Sequence, residues 1–266
     1  MSFGNNFKIW VYLSDPSQAD RKTLEETVPV FPLYRLPEFS SLYDGPEYFV
    51  SLPLVTRNQD EKEIIEALGN LSGDTAVQGI FVHNTECLEL AREAGFSKKI
   101  ITGPGLYVFN RAAISAFPVK TDGFVYPYEL NSHELKEIES DKGILTVYGR
   151  TPLMVSANCV RNIGYKCMKD NGNNFGYLRD RKNAILPVLF QCKNCYNVIY
   201  NALPISLHEY IGKKTDFTND LLLYFTNEER RDVTGVINYY RALKREESTD
   251  FPIKDFTKAY FNHGVE

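Results

Sequence analysis

Cys159 and Cys167 bracket the stretch CVRNIGYKC, and Cys192 and Cys195 bracket CKNC. A C-x2-C turn aims two sulphurs at one point, and the C-x7-C pair completes a set of four thiolates around one centre. Zinc and a four-iron four-sulphur cluster both accept that set, and the spacing does not choose between them. The competing reading is cysteine as a small buried hydrophobe. It suits Cys87, which stands alone in the helical pattern TECLELAREAG. It suits the other four poorly, because C-x2-C beside turn-forming residues is a metal-ligand spacing.

These residues need a folded platform. A chain of 266 residues with 43% hydrophobic content can build a sizeable core. The net charge of −4, from 34 acids against 30 bases, gives no overall field toward nucleic acid or a membrane surface, so a basic site must be local. Apolar runs such as LLLYF and VTGVI fall well short of a membrane span, and MSFGNNFKIW lacks a signal-peptide layout. Unpaired, metal-binding cysteines suit a reducing compartment, so a cytoplasmic protein is expected.

From Phe7 to Gly149 the chain repeats a short apolar run, a turn and an amphipathic stretch. The runs FKIWVYL, VPVFPLY, EYFVSLPLV, AVQGIFVHN, KKIITGPGLYVF, GFVYPYEL and GILTVYG read as strands. DEKEIIEALGNL, TECLELAREAG and NSHELKEIES read as helices between them, the second stopping at Gly95. This alternation predicts an α/β fold with a largely parallel sheet. About seven strands fall short of the eight of a (β/α) barrel, so the expectation is an incomplete or shortened barrel, with an open doubly wound sheet as the alternative.

After Arg150 the rhythm changes. The cysteines and the polar run KDNGNNFGYLRDRKN point to a hairpin region, and FTNEERRDVTGVINYYRALKREE to a C-terminal helix with Thr226 as its cap. The domains read from this are residues 1–150, barrel-like, and residues 151–266, a metal-binding hairpin region with the helix packed on the barrel.

Barrel enzymes place their chemistry at strand C-termini. That rule selects Glu129, Arg150 and His83 as catalytic candidates. It selects Arg57, Asn110 and Asn131 as substrate-binding candidates. Glu129 has the type for general acid or base work, with a helix-end carboxylate as the bland alternative. The arginines have the fork for a phosphate or carboxylate, or for a salt bridge across the barrel mouth. Tyr177, Arg179 and Arg181 interleave an aromatic ring with charge, as RNA-contacting surfaces do, and acids such as Asp180 offer them a purely structural pairing. No H-E-x-x-H, G-x-S-x-G or phosphate-loop spacing occurs.

VYGRTPLMVSANC, GYLRDRKNAILPV, CKNC, the Leu-Pro step in NALPISL and the terminal FTKAYFNHGVE together resemble the collagenase-like peptidase family U-32. LPLVTR, GLYVFN and YPYELN resemble that family's barrel strands, and Glu129 falls on its Glu-Leu-Asn element. The resemblance runs from about Val50 to Glu266. It implies a (β/α) barrel with a cysteine-bound four-iron four-sulphur cluster. In members of that family the cluster serves oxygen-independent hydroxylation of RNA bases or quinone precursors. Two departures stand out. The family's early βα units with a Gly-Ala-Asp strand have no match here, so the chain resembles a later barrel half completed by a preceding segment or a partner chain, or a shortened relative. Thr151-Pro152 also follows Gly149-Arg150 where the protease-type signature carries a cysteine, which likens the chain to the RNA-modifying branch.

The expected function is therefore iron-sulphur-dependent hydroxylation of a base in structured RNA, with no membrane partner. An inactive fragment of such an enzyme, a peptidase, as the family name says, and a zinc-stabilised scaffold are the alternatives.

Overall fold

The structure is a computed structural model and describes residues 7–264 apart from 44, 46, 118, 139 and 165–174. The seven runs read as strands form β1 (Lys8–Leu13), β2 (Val28–Pro32), β3 (Tyr48–Ser51), β4 (Val77–Val82), β5 (Lys99–Thr102), β6 (Gly123–Val125) and β7 (Gly143–Gly149). They pair in parallel in chain order. Next come β8 (Pro152–Ser156), β9 (Phe175–Arg179), β10 (Ile185–Gln191) and β11 (Tyr196–Tyr200), an antiparallel sheet in the order β8-β11-β10-β9. The short β12 (Ile205–Ser206) lies against the end of β7, and β13 (Asp220–Phe225) then pairs in parallel with both β7 and β1.

With β13 the barrel closes as eight parallel strands, all from this chain. The (β/α) barrel is as expected, and it is neither open nor short of a strand. The missing strand was hidden by its place in the sequence. DLLLYF is a short apolar run, and it follows the cysteine region instead of an αβ repeat. A boundary at Arg150 is expected from the change of rhythm, yet the chain returns to the barrel at Asp220. The four-stranded sheet is thus inserted between the seventh and eighth barrel strands.

Period-two alternation explains the two cores. On β1, Ile9, Val11 and Leu13 face the helices, whereas Trp10 and Tyr12 point inside. Trp10, Val30, Phe49, Phe81, Ile101, Val125, Ile144 and Leu222 fill the barrel interior, with Trp10 edge-on to Phe49 at 4.8 Å. Gly79 makes room for that packing, since a Cβ there would stand 2.6 Å from the Phe49 ring.

The helices are α1 (Arg21–Leu24), α2 (Leu36–Ser40), α3 (Glu61–Gly73), α4 (Thr85–Glu93), α5 (Arg111–Ala116), α6 (Ser132–Glu137), α7 (Val160–Gly164) and α8 (Arg230–Lys244). Gly95, at φ +62°, follows α4 in the left-handed conformation that favours glycine. On α8 the buried face is Val233, Val236, Ile237 and Tyr240, spaced as the sequence predicts. Truncating Ile237 to alanine would cost about 2–5 kcal/mol. Thr226 does not cap this helix. Its backbone N–H and hydroxyl are used by the Glu228 carboxylate, and α8 starts four residues later.

Candidate functional site

The inserted sheet packs on the C-terminal mouth of the barrel, where Leu189, Tyr196, Val198 and Tyr200 meet Leu54, Val55 and Tyr224. Below them Tyr12 stacks on Tyr224 at 4.1 Å, and burial raises the phenols of Tyr12, Tyr200 and Tyr224. These rings stay protonated and form a neutral floor.

CKNC is the tight turn joining β10 to β11, closed by the Gln191–Tyr196 pair, with Cys195 at φ +52° where the chain re-enters the strand. Ser156 at the end of β8 pairs with Asn197, and Phe175 at the start of β9 pairs with Leu189. Cys159, Cys192 and Cys195 therefore stand at one end of the sheet. Asn197 Nδ2 donates to Asn158 O at 2.6 Å, which draws the Cys159 segment toward the turn. Cys195 is exposed and the other two are half-buried. The donor chemistry fits a thiolate centre. Among the described residues no three Cys, His, Asp or Glu side chains converge on a metal position. Cys167, the fourth expected ligand, lies outside the described residues. Cys87 is buried on α4, with its thiol pushed up to about 12 by burial, as its isolated spacing predicts.

The cysteine turn is anchored to the barrel by side chains over a hundred residues away in sequence. Arg57 donates from Nε to Asn194 O at 2.8 Å and from Nη2 to Cys195 O at 3.2 Å. Asn194 is fully buried and donates to Asp60 Oδ2 at 2.7 Å, while Lys193 pairs with Glu63 at 2.8 Å. Arg57 thus positions the turn, and its guanidinium is not an open fork for a substrate anion. The sequence marked Arg57 but gave no sign of Asp60 or Asn194, because their partners are set by the barrel's closure.

Two adjacent cavities lie under the inserted sheet. The larger, about 290 Å³, is lined by His83, Glu129, Tyr107, Tyr128, Leu54 and Met154 among others, with no lysine or arginine. Glu129 is among its lining residues, and its Oε2 is buried with no hydrogen-bond partner among the described residues. The smaller, about 40 Å³, shares Leu54, His83, Tyr200 and Tyr224 with it and reaches Gln191 and Tyr196, the two neighbours of the cysteine turn. Wider grooves of about 700 and 680 Å³ lie elsewhere, one along Val77, Lys99 and Asp122 near strand starts and one beside α8. Neither is at the face where barrel enzymes work.

His83 is buried at the end of β4, and desolvation lowers its pKa to about 4. Its Nε2 lies 2.9 Å from Ser51 Oγ at the end of β3. The sequence offered no histidine positioned on a serine. The signal was present in the adjacent strand ends FVSLP and IFVHN, once their parallel pairing is known.

The remaining candidates fall away from the cavity. Asn110 caps α5 by accepting from Ala113 N at 2.9 Å, and Asn131 caps α6 in a reciprocal capping box with Glu134. Both side-chain oxygens accept from helix-start N–H groups, and neither residue lines the cavity. Arg150 forms an ionic contact from Nε to Glu228 Oε1 at 3.4 Å and donates to the carbonyls of Asn201 and Ala202. That is the structural ion pair and not a catalytic group facing the cavity. Tyr177, Arg179 and Arg181 are exposed on β9 and the turn after it. Asp180 accepts from Lys182 N and Ala184 N and so shapes the turn, and neither arginine forms an ion pair among the described residues. They do not adjoin Cys192 and Cys195, however. The basic turn and the cysteine turn sit at opposite ends of β10, whose length is roughly 20 Å at ~3.4 Å per residue.

The fold is similar to that of a U32 peptidase. The solved structure of the U32 peptidase Mk0906 matches with a TM-score of 0.50 at 10% identity, covering 86% of this chain and 95% of that one. A plant class V chitinase mutant from Cycas revoluta, in complex with (GlcNAc)3, matches at a TM-score of 0.38 and 9% identity over 90% of this chain and 99% of that one. No protein-family profile and no curated protein matches the sequence. Among the described residues no helix is long and apolar enough to cross a membrane.

Proposed function

We propose that the chain is an enzyme of the U32-like type whose substrate enters the larger mouth cavity. In this reading Cys159, Cys167, Cys192 and Cys195 hold a four-iron four-sulphur cluster, and the reaction is hydroxylation of a base in structured RNA. The observation that carries the reading is the anchoring of the cysteine turn onto the barrel mouth, one residue from side chains that line the smaller cavity, which shares His83 and Leu54 with the larger. A scaffold staple would need no such bridge to a cavity holding an unpartnered carboxylate. When bound, the cluster would supply electron transfer, whereas zinc would supply structure alone.

The chain's own residues have separate tasks. Glu129 is placed to accept a proton or hydrogen bond from the ligand, and its low-dielectric surroundings strengthen that contact. The tyrosine floor and Leu54 exclude water. Tyr177, Arg179 and Arg181 offer a stacking face and phosphate contacts for RNA lying along the inserted sheet. Nucleoside mass spectrometry of RNA from cells expressing wild type or Glu129→Gln tests this. A nucleoside heavier by one oxygen is expected with wild type alone. Identical profiles from soluble, metal-loaded proteins would refute the RNA reading.

The Ser51–His83 contact favours a second reading, a peptidase like the structural neighbour. Against it, no carboxylate orients His83 among the described residues, and an imidazole of pKa about 4 is a weak base. Casein cleavage abolished by Ser51→Ala would establish it.

A further inference from the structure

Ser51 and His83 lie within hydrogen-bond distance of each other. The serine hydroxyl has two acceptors in reach, His83 Nε2 at 2.9 Å and Leu52 O at 3.5 Å. The second lies beyond the ordinary O–H···O range of about 2.5–3.0 Å, so Nε2 is the acceptor for a donating hydroxyl in the tautomer that leaves Nε2 unprotonated. A neutral imidazole bonded in that way carries its own proton on Nδ1. Among the described residues Nδ1 has no hydrogen-bond partner. Gly103 keeps that nitrogen clear, because a Cβ at position 103 would stand 2.3 Å from it. Burial keeps the ring neutral at pH 7. A neutral imidazole N–H in a water-poor cleft is suited to polarising a carbonyl oxygen.

The rest of the larger cavity says what else the ligand carries. Among the described residues Glu129 Oε2 is a buried acceptor with nothing to accept and no lysine or arginine lines the space, so an anionic group is disfavoured. At the rim the exposed Tyr107 ring stacks on Phe109, with centroids 5.7 Å apart and planes 8° from parallel, which offers a flat surface to a flat ligand.

We propose that the larger cavity takes a neutral lactam ring: His83 Nδ1–H donates to the ring carbonyl, Glu129 accepts from the ring N–H, and Ser51 is the positioning residue that fixes the His83 tautomer. This deepens the reading of the larger cavity as the substrate site and rests on it.

The test uses long-range ¹H–¹⁵N correlation NMR on the ¹⁵N-labelled full chain at pH 7. With four histidines in the chain, His83 is assigned by comparison with His83→Gln. Wild type and Ser51→Thr are expected to show the Nδ1–H tautomer, and Ser51→Ala to lose that bias. An Nε2–H tautomer in wild type, or an unchanged tautomer in Ser51→Ala, would overturn the role of Ser51. The ligand arm adds 2-pyridone as the lactam, N-methylacetamide as a peptide-type amide, and benzoate as an anion of similar size. 2-Pyridone should shift the His83 Nδ1–H signal and bind at least tenfold more weakly to Glu129→Gln, whereas benzoate should leave it in place. Equal shifts from N-methylacetamide would overturn the ring preference in favour of a peptide amide. Movement of Tyr107 and Tyr128 signals without Nδ1–H would sink the donor role while leaving the cavity as a binding site. No movement of any cavity signal would remove both.

Discussion

Replacing Arg150 by methionine separates a structural arginine from a catalytic one. The side chains of Arg150 and Glu228 are 15% and 5% exposed, and the guanidinium also serves the carbonyls of Asn201 and Ala202. Removing one partner of a buried pair strands the other charge, at a typical cost of about 3–5 kcal/mol. The lower end applies here, because Thr226 still donates to Glu228 Oε2. About 3 kcal/mol corresponds to a fall in Tm of roughly 6–12 °C for a chain of this size. The effect has a pH signature. Burial already raises the Glu228 pKa while Arg150 lowers it, so loss of Arg150 pushes it higher still. A carboxyl raised in the folded state contributes stability that is full below its unfolded pKa and is lost as pH rises through the folded one. The Arg150→Met deficit should therefore be largest at pH 7, shrink at pH 5, and be mostly recovered by adding Glu228→Gln. Thermal melts of wild type, Arg150→Met, Glu228→Gln and the double variant at both pH values measure this. An unchanged Tm, or a deficit that is the same at both pH values, would refute the structural role of the pair.

Cys192→Ser should lose bound metal and loosen the inserted sheet, whereas Cys87→Ser should keep full metal content, both read by elemental analysis; full metal in the Cys192 variant would refute the ligand set. Arg57→Ala removes two hydrogen bonds that hold the cysteine turn, worth together about 1–3 kcal/mol, so amides of residues 192–196 should exchange faster while the barrel core is unaffected. Gly103→Ala should cost about 1–3 kcal/mol and displace the His83 ring, visible as a changed His83 tautomer signal by NMR. The Arg179→Ala, Arg181→Ala double variant should bind structured RNA more weakly and with a shallower salt dependence than wild type, and equal binding would leave that surface without a role.

The seven early strands and the larger helices were legible because their patterns are local: alternation within β1 and β7, and apolar spacing on α3 and α8. The eighth strand was not, since DLLLYF gains its meaning only from pairing with β7 and β1 across the inserted sheet. The polar residues at strand ends divide in the same way. Asn110 and Asn131 were selected by position, yet Asn131 and Glu134 already spell a capping box in the sequence, and the helix claims them. Glu129 and His83 do line the mouth cavity, where the strand-end rule sends them. Ser51 escaped notice because its partner is 32 residues distant and is brought to it only by the parallel register of β3 and β4. The distance between the cysteine turn and the basic turn was also misjudged from sequence, because neighbouring positions in the chain become opposite ends of one strand.

The cysteine end of the inserted sheet carries the central claim, and metal analysis with an absorption spectrum after anaerobic purification tests it most directly. The account predicts about four iron atoms per chain with a broad visible band, both lost in Cys192→Ser. Purified, folded protein that holds neither iron nor zinc, and takes up neither when supplied, would contradict it.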